Sequence, residues 1–342
     1  QLLLICAVVA LVGCGKATKE KAAKIKAAAD ARAAAEKKAT ETATIPQPPQ
    51  TTSDKLIANP IVEKAIRKEL NMPTGELTKA DLEKVKYLDF HDNKLTDLKG
   101  LEKLTKLKEL GLSDNQLTDV KGLEKLTQLE ELSLAFNQLT SVKGLEKLTK
   151  LTSLGLAGNR LTDVTGLEKL TQLKFLVLED NQLTDVKGLE KLTQLTELRL
   201  GGNQLTDVKG LEKLTKLTYL GLGDNQLTDI KGLEKLTQLE ELWLDDNQLT
   251  DVTGLEKLTQ LMELSLGGNR LTNVPKSLEK LTQLTELSLN GNRLTNVKGL
   301  EKLTKLEYLG LGSNKLTELP KGLEKLTQLE ELWLDDNQLT DV

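Results

Sequence analysis

The stretch Leu195-Thr-Glu-Leu-Arg-Leu-Gly-Gly-Asn203-Gln-Leu-Thr-Asp-Val-Lys-Gly-Leu-Glu-Lys-Leu-Thr-Lys216 decides the fold, because its pattern recurs from about residue 83 to the last residue. Its asparagine returns at 93, 115, 137, 159, 181, 203, 225, 247, 269, 292, 314 and 337, at intervals of 22 residues except for two of 23. A unit this short cannot bury its own leucines and must stack on its neighbours. Within it, Leu198 and Leu200 alternate with Glu197 and Arg199, the period of a short strand. The leucines are expected to point inward and the alternating residues onto a concave surface. Stacked strands then form a parallel sheet with a spacing of ~4.8 Å. Asn203 ends the strand, where a buried amide can satisfy backbone groups of adjoining turns. Leu205, Val208, Leu211, Leu214 and Leu217 complete the core. The segment from Lys209 to Leu214 is too short for a long helix, which predicts a 3₁₀ or single helical turn on the convex side.

Outward from the array, residues 55–82 read as a helical N-terminal cap for the open end of the first repeat. Asn59-Pro60 is an N-cap followed by proline at the first helical position. Ile61, Ala65, Ile66 and Leu70 mark one helical face, Pro73 stops the helix, and Thr78 to Asp81 begins a second. Residues 15–54 are an Ala/Lys/Glu-rich and then proline-rich spacer without an apolar stripe. Residues 1–14 are an apolar run too short to span a bilayer, of the length of a secretory signal core. At the other end, residues 321–342 repeat residues 231–252 without a change. An array that stops at Val342 inside such a duplicate is expected to be truncated, with further repeats or a catalytic domain beyond it.

Two resemblances add to this reading. Leu11-Val12-Gly13-Cys14, closing the apolar run, resembles the lipobox of bacterial lipoproteins. That resemblance implies lipidation at Cys14, anchoring to the membrane through an N-terminal lipid, and a place in the bacterial cell envelope. Gly15 rather than Asp after the cysteine favours the outer membrane if the source is Gram-negative. The 22-residue pattern over residues 83–342, twelve repeats, is similar to the leucine-rich repeats of the internalin type, and residues 55–82 to their helical cap. The two longer repeats, with Val274-Pro275-Lys276 and Leu319-Pro320-Lys321, are like the proline-bearing variants of other bacterial repeats. The fold implied is an α/β solenoid, a leucine-rich-repeat horseshoe with a parallel concave β-sheet, short 3₁₀ or helical convex segments and the N-terminal cap. The function implied is binding of another protein at a cell surface.

Charge locates the binding face. Counting the asparagine as position 9, the variable positions 2, 3, 5, 7 and 8 of the twelve repeats hold 21 acidic and 4 basic residues, a net of −17. Residues 55–342 together carry 39 basic and 46 acidic residues, net −7, so the rest of that segment sums to +10. The net charge of −4 for the whole chain hides this division. Such a field attracts cationic partners and repels nucleic acid. Of the eight aromatic residues only Phe90 replaces a core leucine; Tyr87, Phe175, Tyr219 and Tyr308 fall at position 3, Trp243 and Trp333 at position 5, and Phe136 at position 8. Exposed aromatics in an acidic groove suit a contact surface. The expected partner-binding residues are Tyr87, Phe175, Glu197, Tyr219, Glu241, Trp243, Asp245, Asp246, Tyr308, Glu331, Trp333, Asp335 and Asp336, for a protein or peptide with a basic surface. A carbohydrate- or cell-wall-binding module using the tryptophans as stacking platforms is the alternative, and the recognition part of a longer enzyme is another. The repeats themselves supply no nucleophile beside a base, no catalytic residue and no cofactor motif. His91, the only histidine, reads as a bystander beside Asp89 and Asp92. Glu241, Glu263 and Glu286 could attract Ca²⁺, but the columns lack neutral oxygen ligands, and no metal site is expected.

Overall fold

The computed structural model describes residues 55–318 and 321–340. The signal segment with Cys14, the spacer, Leu319-Pro320 and Val342 lie outside the described residues.

Twelve three-residue strands form one parallel sheet in chain order. They are β1 (Tyr87–Asp89), β2 (Glu109–Gly111), β3 (Glu131–Ser133), β4 (Ser153–Gly155), β5 (Phe175–Val177), β6 (Glu197–Arg199), β7 (Tyr219–Gly221), β8 (Glu241–Trp243), β9 (Glu263–Ser265), β10 (Glu286–Ser288), β11 (Tyr308–Gly310) and β12 (Glu331–Trp333). Each repeat pairs with the next at the same position, Leu198 with Leu220 and Leu220 with Leu242, so each repeat position becomes a row along the sheet. The inward row from Leu88 to Leu309 is buried, while Leu332 on the last strand is 37% exposed. Phe90 takes a leucine place and is equally buried.

The asparagine column is the polar spine of this core. The ten from Asn115 to Asn314 are buried. The Asn203 Oδ1 accepts from the Leu183 N–H of the preceding repeat at 3.0 Å. Its Nδ2 donates back to the Leu178 carbonyl at 3.0 Å and to the Leu200 and Gly201 carbonyls of its own turn at 3.0 and 3.2 Å. One amide thus satisfies backbone groups that the tight turn leaves without a ladder partner.

The convex side explains the recurrent pattern Asp-Val-Lys-Gly-Leu-Glu-Lys, in which Leu-Glu-Lys is the constant part. Asp207 Oδ1 accepts from the Lys209 N–H at 3.0 Å, closing a local turn. Gly210 then sits at φ 105°, which a side chain would resist. The Glu212 carboxylate folds back to accept from the Gly210 N–H at 2.6 Å and caps the 3₁₀ turn Leu211–Lys213. These backbone bonds, its own N–H first and that of Gly210 second, hold the Glu212 carboxyl below its ordinary value. In the first longer repeat, Ser277 stands where this glycine does, Pro275 is the N-cap, and the turn lengthens to Lys276–Lys280. The extra residue is absorbed there, since Glu263 still pairs with Glu286.

Ahead of β1 stand α1 (Pro60–Glu69) and the short α2 (Lys79–Leu82). Asn59 Oδ1 accepts from the Ile61 and Val62 N–H groups at 2.9 and 3.3 Å, and Thr78 with Asp81 forms a reciprocal capping box. The fully buried face of α1 is Val62 and Ile66, while Ile61, Ala65 and Leu70 pack at its margin. The apolar stripe is therefore rotated toward Val62 from its expected centre. The helix also ends before Pro73, where Asn71 takes the left-handed conformation at φ 53°. Among the described residues, no helix is long and apolar enough to cross a membrane.

Candidate concave binding face

In-register pairing turns position 3 into a row that reads Tyr87, Glu109, Glu131, Ser153, Phe175, Glu197, Tyr219, Glu241, Glu263, Glu286, Tyr308 and Glu331. Like charges at strand spacing repel unless one neutralises. Glu263 stands between Glu241 and Glu286, and burial together with those two neighbours pushes its carboxyl up to about 7. Burial, then Glu109 and Glu130, raise Glu131 in the same direction.

Position 8 has a different cause. Every residue there, from Asp92 to Asp336, has φ between 49° and 66°. Asp, Gly and Ser tolerate this left-handed conformation better than larger residues. Six of the 21 acidic residues of the concave set, Asp92, Asp114, Asp180, Asp224, Asp246 and Asp336, thus stand where the backbone itself favours a short polar side chain. The signal for this in the sequence is that position 8, although variable, holds Asp, Gly or Ser in every repeat but that of Phe136.

The aromatic candidates divide by environment. Tyr87, Phe175 and Trp333 are 41%, 45% and 46% exposed. Tyr219 is half-buried, with the Arg199 guanidinium stacked over its ring at 4.3 Å. Arg199 is held by Glu197 at 2.6 Å and lies 4.0 Å from Glu179. Burial pushes the Glu179 carboxyl up to about 7 against the pull of Arg199, and also raises the Tyr219 phenol. The expectation that Tyr219 projects as an open aromatic is therefore corrected: Arg199, at position 5 of the neighbouring strand, covers it. The later twin of this group has Ser288 in place of Arg199.

Trp243 faces Gly221 and Ser265 across the adjacent strands and is half-buried. Its indole N–H is buried without a hydrogen bond of sound geometry. Burial raises the neighbouring Glu241 carboxyl, with Arg199 and then the Trp243 indole opposing. At the twin position Trp333 Nε1 donates to Glu331 Oε2 at a long 3.4 Å. Asp245, Asp246 and Asp224 bring carboxylate oxygens within 4.8 Å of one another. All three are engaged by neighbouring groups, as are Tyr308, Asp335 and Asp336. His91 lies 3.4 Å from Asp114 at the edge of the face.

The face is thus an open sheet surface on which carboxylates and aromatics stand side by side. A family model described as "Leucine Rich repeats (2 copies)" matches residues 83–125, 127–169, 171–213, 215–257, 259–302 and 304–342. Among solved structures, an internalin (inlF) from Listeria monocytogenes is 29% identical, with 84% of this chain and 92% of that chain covered and a TM-score of 0.74. An internalin C2 (inlC2) from Listeria monocytogenes is 35% identical, covering 64% of this chain and 97% of that one, with a TM-score of 0.59. PEPR1, in a structure with AtPEP1, is 30% identical over 70% of this chain and 36% of that one, with a TM-score of 0.61. A search of curated proteins found no match.

Proposed function

The chain belongs to the leucine-rich-repeat family, in its internalin type, and from that premise we propose that it is a surface scaffold whose concave face binds a protein or peptide. The observation that carries this reading is the split of charge, −17 on the concave positions against +10 on the rest of residues 55–342. The cognate surface is accordingly basic. The contact residues proposed are Tyr87, Phe175, Glu197, Glu241, Trp243, Asp245, Asp246, Tyr308, Glu331, Trp333, Asp335 and Asp336, with Tyr219 contributing once Arg199 turns aside. PEPR1, which shares the fold and is solved with AtPEP1, supports a binding rather than a catalytic role. Anchoring is assigned to a lipid on Cys14, at the end of an apolar run of 14 residues, which places the protein on the bacterial cell envelope.

The test is a Trp243→Ala/Trp333→Ala variant. It should keep the wild-type circular dichroism spectrum and lose partner affinity by at least ~1–2 kcal/mol. Unchanged affinity with an intact fold would remove the tryptophans from the site. A carbohydrate ligand has one observation in its favour, the exposed indole of Trp333. Binding to a glycan array that is indifferent to salt would favour it.

A further inference from the structure

We propose that the concave face carries an anchor site for one apolar side chain of the partner, centred on β4 and distinct from the two tryptophan groups. The proposal rests on the concave-face reading and specifies where on that face the partner's apolar contact falls.

The fourth repeat is the one repeat of twelve with no charge at its concave positions, which are Thr152, Ser153, Gly155, Ala157 and Gly158. Two exposed phenylalanines bound this uncharged strip. Phe175 pairs with Ser153 on the adjoining strand, and Val177 pairs with Gly155. Phe136 stands at the other end, where its ring crosses Gly158 so closely that a Cβ on that glycine would fall 2.5 Å from it. Both phenylalanines are 45% exposed, whereas Ala135 and Ala157 between them are 7% and 9% exposed. The result is an uncharged strip of small residues, with a half-exposed aromatic ring beside it on each of the two flanking repeats.

Phe136 sets this strip apart from a chance patch. Its φ is 54°, and every other repeat fills that position with Gly, Asp or Ser. A bulky side chain in the left-handed region costs on the order of 1–2 kcal/mol. The buried half of the ring recovers about 1–1.5 kcal/mol of that. The ring therefore adds little net to the fold while offering an open apolar surface.

Charge complementarity defines the occupant. Glu130 is paired with Lys108 at 2.7 Å and Glu197 with Arg199 at 2.6 Å, and Lys174 precedes β5, so the carboxylates that define the field are Glu109 and Glu131 on one side of β4 and Asp180 on the other. At ~4.8 Å per strand these carboxylates stand roughly 5–10 Å from the strip. An extended segment rising ~3.3 Å per residue reaches them with Lys or Arg about two or three positions either side of its apolar residue. The partner is thus a protein segment with a basic, apolar, basic pattern.

The experiment selects a displayed library of random peptides on the full chain, then measures the enriched peptides against Phe136→Asp and against Lys209→Ala, an exposed residue on the convex side. Asp is the residue that six other repeats place at this position, so Phe136→Asp should fold with a denaturation midpoint close to that of wild type. The expected result is enrichment of the basic, apolar, basic pattern, with binding lost by at least tenfold in Phe136→Asp and retained in Lys209→Ala. Enriched peptides that bind Phe136→Asp as well as wild type would overturn the anchor while leaving a peptide-binding face in place. No enrichment, with a glycan array bound instead, would overturn both. A lowered midpoint in Phe136→Asp would show the ring to be structural and would also overturn the proposal.

Discussion

The asparagine spine makes a position-dependent prediction. Asn203→Leu preserves approximate volume but removes every polar contact of a side chain that is 8% exposed. The Leu183 N–H loses its only side-chain acceptor, and the Leu178 and Leu200 carbonyls lose donors at 3.0 Å. An orphaned buried group costs about 1–3 kcal/mol, with carbonyls at the low end. One donor and two carbonyls therefore predict a loss of about 3–6 kcal/mol. Asn93 begins the column, is exposed, and among the described residues bonds to the His91 carbonyl two residues away. Asn93→Leu should cost less than about 0.5 kcal/mol. Because long repeat arrays can unfold by parts, urea midpoints should be read together with amide hydrogen exchange. Exchange at Leu183 should accelerate in Asn203→Leu, with a smaller effect several repeats away. Equal midpoint losses for the two variants, or an unchanged Leu183 exchange rate, would refute the role given to the amides.

Other outcomes follow from the same geometry. Leu220 is fully buried, so Leu220→Ala should cost about 2–5 kcal/mol in urea denaturation; Gly221→Ala, whose new Cβ would meet the Tyr219 ring at an ordinary 3.4 Å, should cost far less. Glu263 binds its proton more tightly folded, near pH 7, than unfolded, near 4.5; the associated stability is present below the lower value and is lost as pH rises through the upper one. Glu263→Gln should remove that decline, so midpoints that fall identically from pH 5 to pH 8 in both proteins would contradict it. Cys14→Ser should abolish acyl labelling in cells, and unchanged labelling would exclude the proposed anchor.

Much of this fold was legible because the repeat imposes its own register. With 22 residues between equivalents, pairing Leu198 with Leu220 fixes every neighbour, and the inward leucines and the buried asparagines follow. The convex 3₁₀ turns were legible from the shortness of the segment around Leu211. What periodicity could not reveal were events between specific side chains. Arg199 lies over Tyr219 because position 5 of one strand and position 3 of the next share a face, a contact set by side-chain length and not by spacing. The left-handed conformation at position 8 was recorded only in its residue usage, so the cost of Phe136 there stayed hidden. On α1, Val62 displaced the expected centre of the apolar face, since the helix docks on the first repeat by an angle that its own sequence does not contain.

The concave charge is tested most directly by salt. Between about 0.1 M and about 1 M salt the Debye length falls from ~10 Å to ~3 Å, which screens exposed charge pairs. A peptide recovered by selection on the concave face should weaken by at least ~10-fold over that range. The variant Asp245→Asn/Asp246→Asn/Asp335→Asn/Asp336→Asn keeps side chains that suit the left-handed positions 246 and 336. It should bind more weakly at low salt and lose most of the salt dependence. Binding that is indifferent to salt, and equal in wild type and the four-site variant, would contradict an acidic face as the basis of recognition.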